Sequence, residues 1–332
     1  MTPGRCVVEV TRGDVVESRH RVHVAVCHVD QGLIASAGNP AHHSFVRSAI
    51  KMFQVLPFVE DGGVEHFNLT GPELALCTAS HGAEPFHVDA ARGLLDKAKV
   101  TEAALACGPH LPLHQPSAHA MIAAGEKPGR IHNNCSGKHA GMLACCVMHQ
   151  WVTNGYHRPS HPLQQRIRST LERWMRVDAD EVEAATDGCG LPTFALALDS
   201  VAEGCARFAA AAADRGSSPA SKIFGAMTMH PEFVAGTDHL DTDLMRTAGG
   251  RLFAKFGAEG FYCAGVPSMK LGFALKVEDG AKRAAESAVL AVLHRFDAIT
   301  AAELQALHTY ANPDVLNTRN EVVGSISAQL VI

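Results

Sequence analysis

An α+β fold built on an antiparallel sheet is predicted by three features of the sequence. Residues alternate with a period of two near the N-terminus, a long middle stretch carries apolar residues at helical spacing, and strand character returns late before a final helix. A parallel α/β chain would alternate strand and helix along its whole length. Residues 6–11 and 15–29 read as strands joined by the turn Arg12-Gly13-Asp14, so they are expected to pair as a hairpin, and residues 33–37 read as a third strand. From Phe45 the pattern changes. Residues 48–59 place Ile50, Phe53 and Leu56 at helical spacing and stop near Asp61-Gly62-Gly63. Further helices are expected over 85–98, 117–124, 139–151, 162–175, 194–213, 219–229 and 241–256, with Ser218 as N-cap and Pro219 at the first helical position of one of them. Strands are expected over 260–266 and 272–277, and an amphipathic helix over 280–296. The sheet then takes strands from both chain ends. The whole of 1–332 reads as one globular unit, with a sheet lobe of 1–46 and 250–332 and a mainly helical lobe of 47–249.

Composition narrows the function. The chain has 332 residues, 47% hydrophobic and 19% charged, which excludes a disordered chain and allows a substantial core without staples. A net charge of −5 argues against a nucleic-acid footprint, and 6% aromatics argue against stacking platforms. The ten cysteines have irregular spacing, form no CxxC pair and sit mostly in apolar runs, where a free thiol behaves as a small hydrophobe. No charged segment followed by an apolar one marks a signal peptide, and no run approaches the ~18 apolar residues of a membrane helix. A soluble protein of the reducing cytoplasm is the expectation.

Small polar residues and glycines gather in a few places beside apolar helices. In Arg47-Ser48-Ala49-Ile50-Lys51, Ser48 and Lys51 are three apart and would share a helix face. A lysine whose pKa is lowered by burial can take the proton of such a hydroxyl, the S-x-x-K arrangement of penicillin-binding proteins and class A β-lactamases. From the spacing alone, an N-cap serine followed by a solvated lysine is the better reading. Ser80-His81-Gly82 offers a second hydroxyl or an ordinary turn. The segment His132 to His139 is denser. Cys135 and His139 are four apart, and Asp187 and Cys189 lie in a glycine-rich loop that could fold toward them. Two thiolates and a nitrogen suit zinc, although finger spacing is absent. Cys135 as nucleophile with His139 as base is the alternative, and an Asn/Ser/Gly N-cap the simplest reading. Most of the remaining histidines, such as His42-His43, His110 and His114, are expected at the surface or in caps.

Together these segments resemble one family: Arg47-Ser48-Ala49-Ile50-Lys51, the block HNNCSGKH from His132 to His139, Asp187-Gly188-Cys189-Gly190-Leu191-Pro192, His230-Pro231-Glu232, Gly257-Ala258-Glu259-Gly260 and Ala274 to Gly280. The match is to the bacterial L-asparaginase II family of the Rhizobium etli type, which differs from the threonine-nucleophile asparaginases of the Escherichia coli type. The resemblance implies a serine β-lactamase/glutaminase-like fold, a homodimer, and hydrolysis of L-asparagine to L-aspartate and ammonia. It implies Ser48 as nucleophile and Lys51 as its base, with Ser80 paired to Lys255 or, alternatively, Lys276. It further implies a zinc ion near the serine held by Cys135, Lys138 and Cys189, with Arg47, Asn133, His139 and Asp187 at the substrate. A backbone N–H at Ser48 would supply part of an oxyanion site. Two other functions stay open on sequence: a related amidohydrolase acting on glutamine, a D-amino-acid amide or a β-lactam, and a zinc- or ligand-binding protein of the same fold without turnover.

Overall fold

The computed structural model describes residues 4–178, 182–214 and 218–332. The strands are β1 (Arg5–Arg12), β2 (Val15–His28), β3 (Gly32–Ala37), β4 (His43–Phe45), β5 (Glu183–Thr186), β6 (Pro192–Ala197), β7 (Phe253–Gly257), β8 (Phe261–Val266), β9 (Leu271–Val277), β10 (Asp314–Leu316) and β11 (Val322–Val331). The chain folds as two compact units, one of residues 1–49, 195–213 and 243–332, the other of residues 50–194 and 214–242.

The first unit is built on an antiparallel sheet with strand order β10-β11-β1-β2-β9-β8-β7, and β3 pairs with β2 off that path. The β1–β2 hairpin closes at Arg12↔Val15, with Gly13 in the left-handed region that its turn needs. Chain ends meet in the sheet, since β1 pairs β11 from Arg5↔Val331 to Val10↔Ile326. Successive strand residues face opposite sides, and β9 uses both. Gly272 faces the helix Leu198–Ala212 so closely that a Cβ there would lie 2.1 Å from the Ala202 carbonyl oxygen. Phe273, pointing the other way, meets Phe296 at the end of the helix Lys282–Arg295.

The second unit is helical. Its long elements are Lys51–Glu60, Pro85–Lys97, Ser136–Met148, Pro162–Met175 and Pro219–Met229. Ser218 caps the last of these by accepting a hydrogen bond from the Ser221 N–H.

The α+β class and most element positions agree with the sequence reading, with four differences. Residues 194–197 belong to β6, and the helix begins only at Leu198. The expected helix over 241–256 is instead the helix Leu240–Thr247 followed by β7, so Lys255 stands on a strand. Residues Arg47–Ile50 form a 3₁₀ turn before the α-helix starts at Lys51. The helix Gly71–Cys77 and the strands β4, β5, β10 and β11 are among the elements with no counterpart in the sequence reading.

Candidate active site

In the second unit, two loops are brought side by side by two helices. The helix Gly71–Cys77 starts from a capping box, in which Thr70 accepts from the Glu73 N–H and the Glu73 carboxylate accepts from the Thr70 N–H. It ends at Thr78 and releases the loop that carries Ser80 and His81. The helix Ser136–Met148 packs against it with Gly137 at the contact, where a Cβ would lie 2.4 Å from Leu76 Cγ and 2.5 Å from the Leu76 carbonyl oxygen. The loops are then stitched together: the His81 N–H donates to the Asn134 carbonyl at 3.1 Å, and His81 Nε2 lies 2.9 Å from Ser136 Oγ.

Lys51 is the hub. It is fully buried, at 0% exposure, at the first position of its helix. Its Nζ lies 2.9 Å from Ser80 Oγ and 3.2 Å from Cys135 Sγ, and it donates to the Ala79 carbonyl. A buried ammonium or amine is tolerated only with partners of this kind.

Cys135, Lys138 and Cys189 also come together. Lys138 Nζ is 3.4 Å from Cys189 Sγ, and the Cys135 thiol hydrogen-bonds to Cys189. That bond and burial push the Cys135 thiol up to about 12. The same bond, opposed by burial and helped by Lys138, draws Cys189 down to about 5. Burial disfavours charge on Lys138, but Cys135, Cys189 and Asp187 outweigh it and hold its pKa above the ordinary value. Cys189 and Asp187 share a tight turn, closed by the Gly190 N–H to the Asp187 carbonyl with Gly190 in the left-handed region. Asp187 accepts from the Gly188 N–H and lies within 3.8 Å of the Cys189 thiol.

Asn133 works within its own loop: Oδ1 accepts from the Cys135 N–H and Nδ2 donates to the Gly108 carbonyl. His139 is fully buried, and burial with the nearby Lys138 lowers its pKa to about 3, so its ring is neutral. Its Nδ1 meets Tyr156 Oη at 2.5 Å.

The first unit holds the other expected residues. Ser48 lies in the 3₁₀ turn that leads directly into the Lys51 helix, and Arg47 before it has a left-handed backbone, with φ of 50°. The turn is anchored to β8 by the Cys263 thiol, which donates to the Ala49 carbonyl at 2.9 Å. Lys255, fully buried on β7, donates to the Phe256 carbonyl, and Lys276 on β9 donates to the Val277 carbonyl. All ten cysteines are free and buried. His81 and His87 are buried too, at 0% exposure, and His87 has the capping role expected of most such histidines, accepting from the Glu84 N–H at the start of the helix Pro85–Lys97.

A serine hydroxyl touching a buried lysine, beside a thiol–amine–thiol cluster, is unusual enough to invite comparison with known proteins. The sequence profile of L-asparaginase II matches residues 8–328, nearly the whole chain. The chain belongs to the L-asparaginase II family. No curated protein matches it closely enough to add to this. Membership of the L-asparaginase II family makes the chain an asparaginase-type amidohydrolase acting on a small molecule. Among the described residues there is no group of three or more His, Cys, Asp or Glu side chains that could hold a metal ion, and no helix long and apolar enough to cross a membrane. The sequence reading did not single out Tyr156, one of three tyrosines in the chain, and nothing in its neighbourhood of glycine and basic residues marks it.

Proposed function

We propose that this L-asparaginase II family member is of the Rhizobium etli type and hydrolyses L-asparagine to L-aspartate and ammonia through a serine–lysine acyl-enzyme. The observation that carries the reading is Lys51, wholly buried, 2.9 Å from a serine hydroxyl and one turn after Ser48. A lysine so placed can accept a hydroxyl proton as the oxygen attacks.

In this scheme the Ser48 Oγ attacks the side-chain amide carbon, and Lys51 takes its proton. The C–N bond breaks as that proton passes to the leaving nitrogen, giving ammonia and a Ser48 ester. Water adds to the ester, and its cleavage returns the Ser48 hydroxyl and releases aspartate. Ser80, hydrogen-bonded to Lys51, relays protons between that amine and the leaving group, with Lys255 as the second amine of the scheme. Arg47, His139 and Asp187 hold the amino-acid head group, and Asn133 fixes the loop on which Cys135 sits.

Cys135, Lys138 and Cys189 suit a zinc ion by donor type and by spacing. Arms of about 2.3 Å to sulfur and about 2.0 Å to nitrogen span about 3.5 Å at a tetrahedral centre, against the 3.4 Å found between Lys138 Nζ and Cys189 Sγ. Bound zinc would supply a fixed positive charge that orders groups around the substrate. To hold it, both cysteines would have to be thiolates and Lys138 a neutral amine. The active form is proposed to be a homodimer of the cytoplasm.

The Lys51–Ser80 contact favours one second reading, with Ser80 as the nucleophile. Treating the protein with a diazoketone analogue of asparagine and mapping the adduct by peptide mass spectrometry separates the two. The adduct is expected on Ser48, and Ser48→Ala is expected to lose ammonia release by about 10⁴-fold or more while remaining folded. A folded Ser48→Ala protein with full activity would overturn the scheme, and an adduct on Ser80 would exchange the two roles.

A further inference from the structure

We propose that Tyr156 is a positioning residue that fixes His139 as a hydrogen-bond donor through Nε2, aimed at an acceptor oxygen of the substrate. The inference rests on the asparaginase reading for its ligand, and on the geometry of the second unit for everything else.

Tyr156 is buried at 1% exposure, and its hydroxyl has two partners: it accepts from the Ala106 N–H at 3.0 Å and lies 2.5 Å from His139 Nδ1. A phenol has a single hydrogen to donate. Ala106 offers only a donor, so Nδ1 is the one acceptor the buried phenol hydrogen has among the described residues, and a hydrogen on Nδ1 would leave it with none. Nδ1 then accepts and carries no hydrogen. An imidazole with no hydrogen on Nδ1 carries its one N–H on Nε2.

That Nε2 is buried and has no hydrogen-bond partner among the described residues. A buried donor without an acceptor is costly to keep, and such groups persist where a ligand supplies the missing partner. The ring stands in the first turn of the helix Ser136–Met148, directly after Lys138 and four residues after Cys135. A substrate oxygen entering beside Lys51 and the two sulfurs would meet an N–H whose direction is set in advance. Without the Tyr156 hydroxyl, the ring is free to place its hydrogen on Nδ1 and present a bare nitrogen, which repels an oxygen instead of binding it.

The test uses the full-length, zinc-loaded protein labelled with ¹⁵N-histidine. Long-range ¹H–¹⁵N correlation at neutral pH, with the His139 signals assigned by their loss in His139→Gln, should show the Nε2–H tautomer in the wild type. In Tyr156→Phe the Nδ1–H form should grow. Steady-state kinetics should show KM for asparagine raised about three- to tenfold in Tyr156→Phe, with a smaller change in kcat. Glutamine at 139 carries an amide N–H near the place of Nε2 and has no tautomer to fix, so Tyr156→Phe should add nothing to KM in the His139→Gln background. An Nδ1–H tautomer in the wild type would overturn the proposal, as would an undiminished effect of Tyr156→Phe in that background. The spectrum of the wild type decides the tautomer whatever substrate the enzyme hydrolyses, and it needs only that His139→Gln folds well enough to assign the His139 signals.

Discussion

His81 and His87 stack with ring centroids 4.9 Å apart, and each spends both ring nitrogens on its surroundings. Nδ1 of His81 accepts from the Ala83 N–H, and its Nε2–H reaches Ser136 Oγ. Nδ1 of His87 accepts from the Glu84 N–H, and its Nε2–H reaches the Glu232 carbonyl. A second proton on either ring would have to sit on Nδ1, facing an N–H. Burial is the main cause that holds His81 well below its ordinary pKa, with His87 and Lys51 adding to it. Burial likewise lowers His87 to about 4, although Glu84 and Glu232 favour its charged form. Both native pKa values lie below that of an unfolded histidine, so below about pH 6.5 the unfolded chain binds more protons and stability falls as the pH drops. For His87 the loss runs from about pH 6.5 to about 4, at up to about 1.4 kcal/mol per pH unit. Urea unfolding compared at pH 7.5 and pH 5 should therefore show a lower midpoint at pH 5, and His87→Gln should flatten that dependence. An equally steep dependence in His87→Gln would contradict the assignment.

Helices place the chemistry, and Gly137 decides how close two of them come. An alanine there would gain helix propensity of about 1 kcal/mol. Against that, its Cβ would strike the Leu76 side chain and, at 2.5 Å, the Leu76 backbone oxygen. Backbone cannot swing aside, and overpacking of this kind costs about 1–3 kcal/mol, so the clash wins. Gly137→Ala is expected to lower the Tm by several degrees and to reduce ammonia release, because the loop of Cys135 would be pushed away from that of Ser80. Differential scanning calorimetry and an ammonia assay check both, and an unchanged Tm would refute the packing argument. The same helices show where sequence reading succeeds and stops. Ser136–Met148 and Pro162–Met175 carry enough apolar spacing to be found within a few residues. The burial of Lys51 has no such signature: every residue from Lys51 to Val59 is buried, so the helix has no polar face against which a lysine would stand out. That Lys51 touches Ser80 depends on a loop 29 residues away, a non-local contact that local spacing does not encode. Lys255 was misplaced on a helix because a lysine inside the run Phe253–Gly257 breaks the apolar alternation of a buried strand.

At the scale of the molecule, the first unit's sheet depends on the two ends of the chain meeting. The sequence points to strands from both ends but does not locate β11. Its signal is a true alternation carried by weak residues: Gly324, Ile326, Ala328 and Leu330 share one face against Ser325, Ser327 and Gln329. The register explains why small residues suffice there. Ile326, Ala328 and Leu330 lie opposite Val10, Val8 and Cys6, all buried, and the helix Lys282–Arg295 packs against β11. Removing residues 319–332 would leave β1 as an open edge whose backbone N–H and C=O groups lose their ladder, and would strip cover from Val8 and Val10. The loss of a ten-residue strand with its hydrogen bonds should exceed several kcal/mol, a large share of the stability of any domain. The truncated protein is expected to melt at least about 10 °C lower and to self-associate through the bared edge, seen by thermal melts and light scattering. A truncation that stays soluble with the wild-type melting temperature would mean that β11 only decorates the sheet, and that β1 is held by β2 alone.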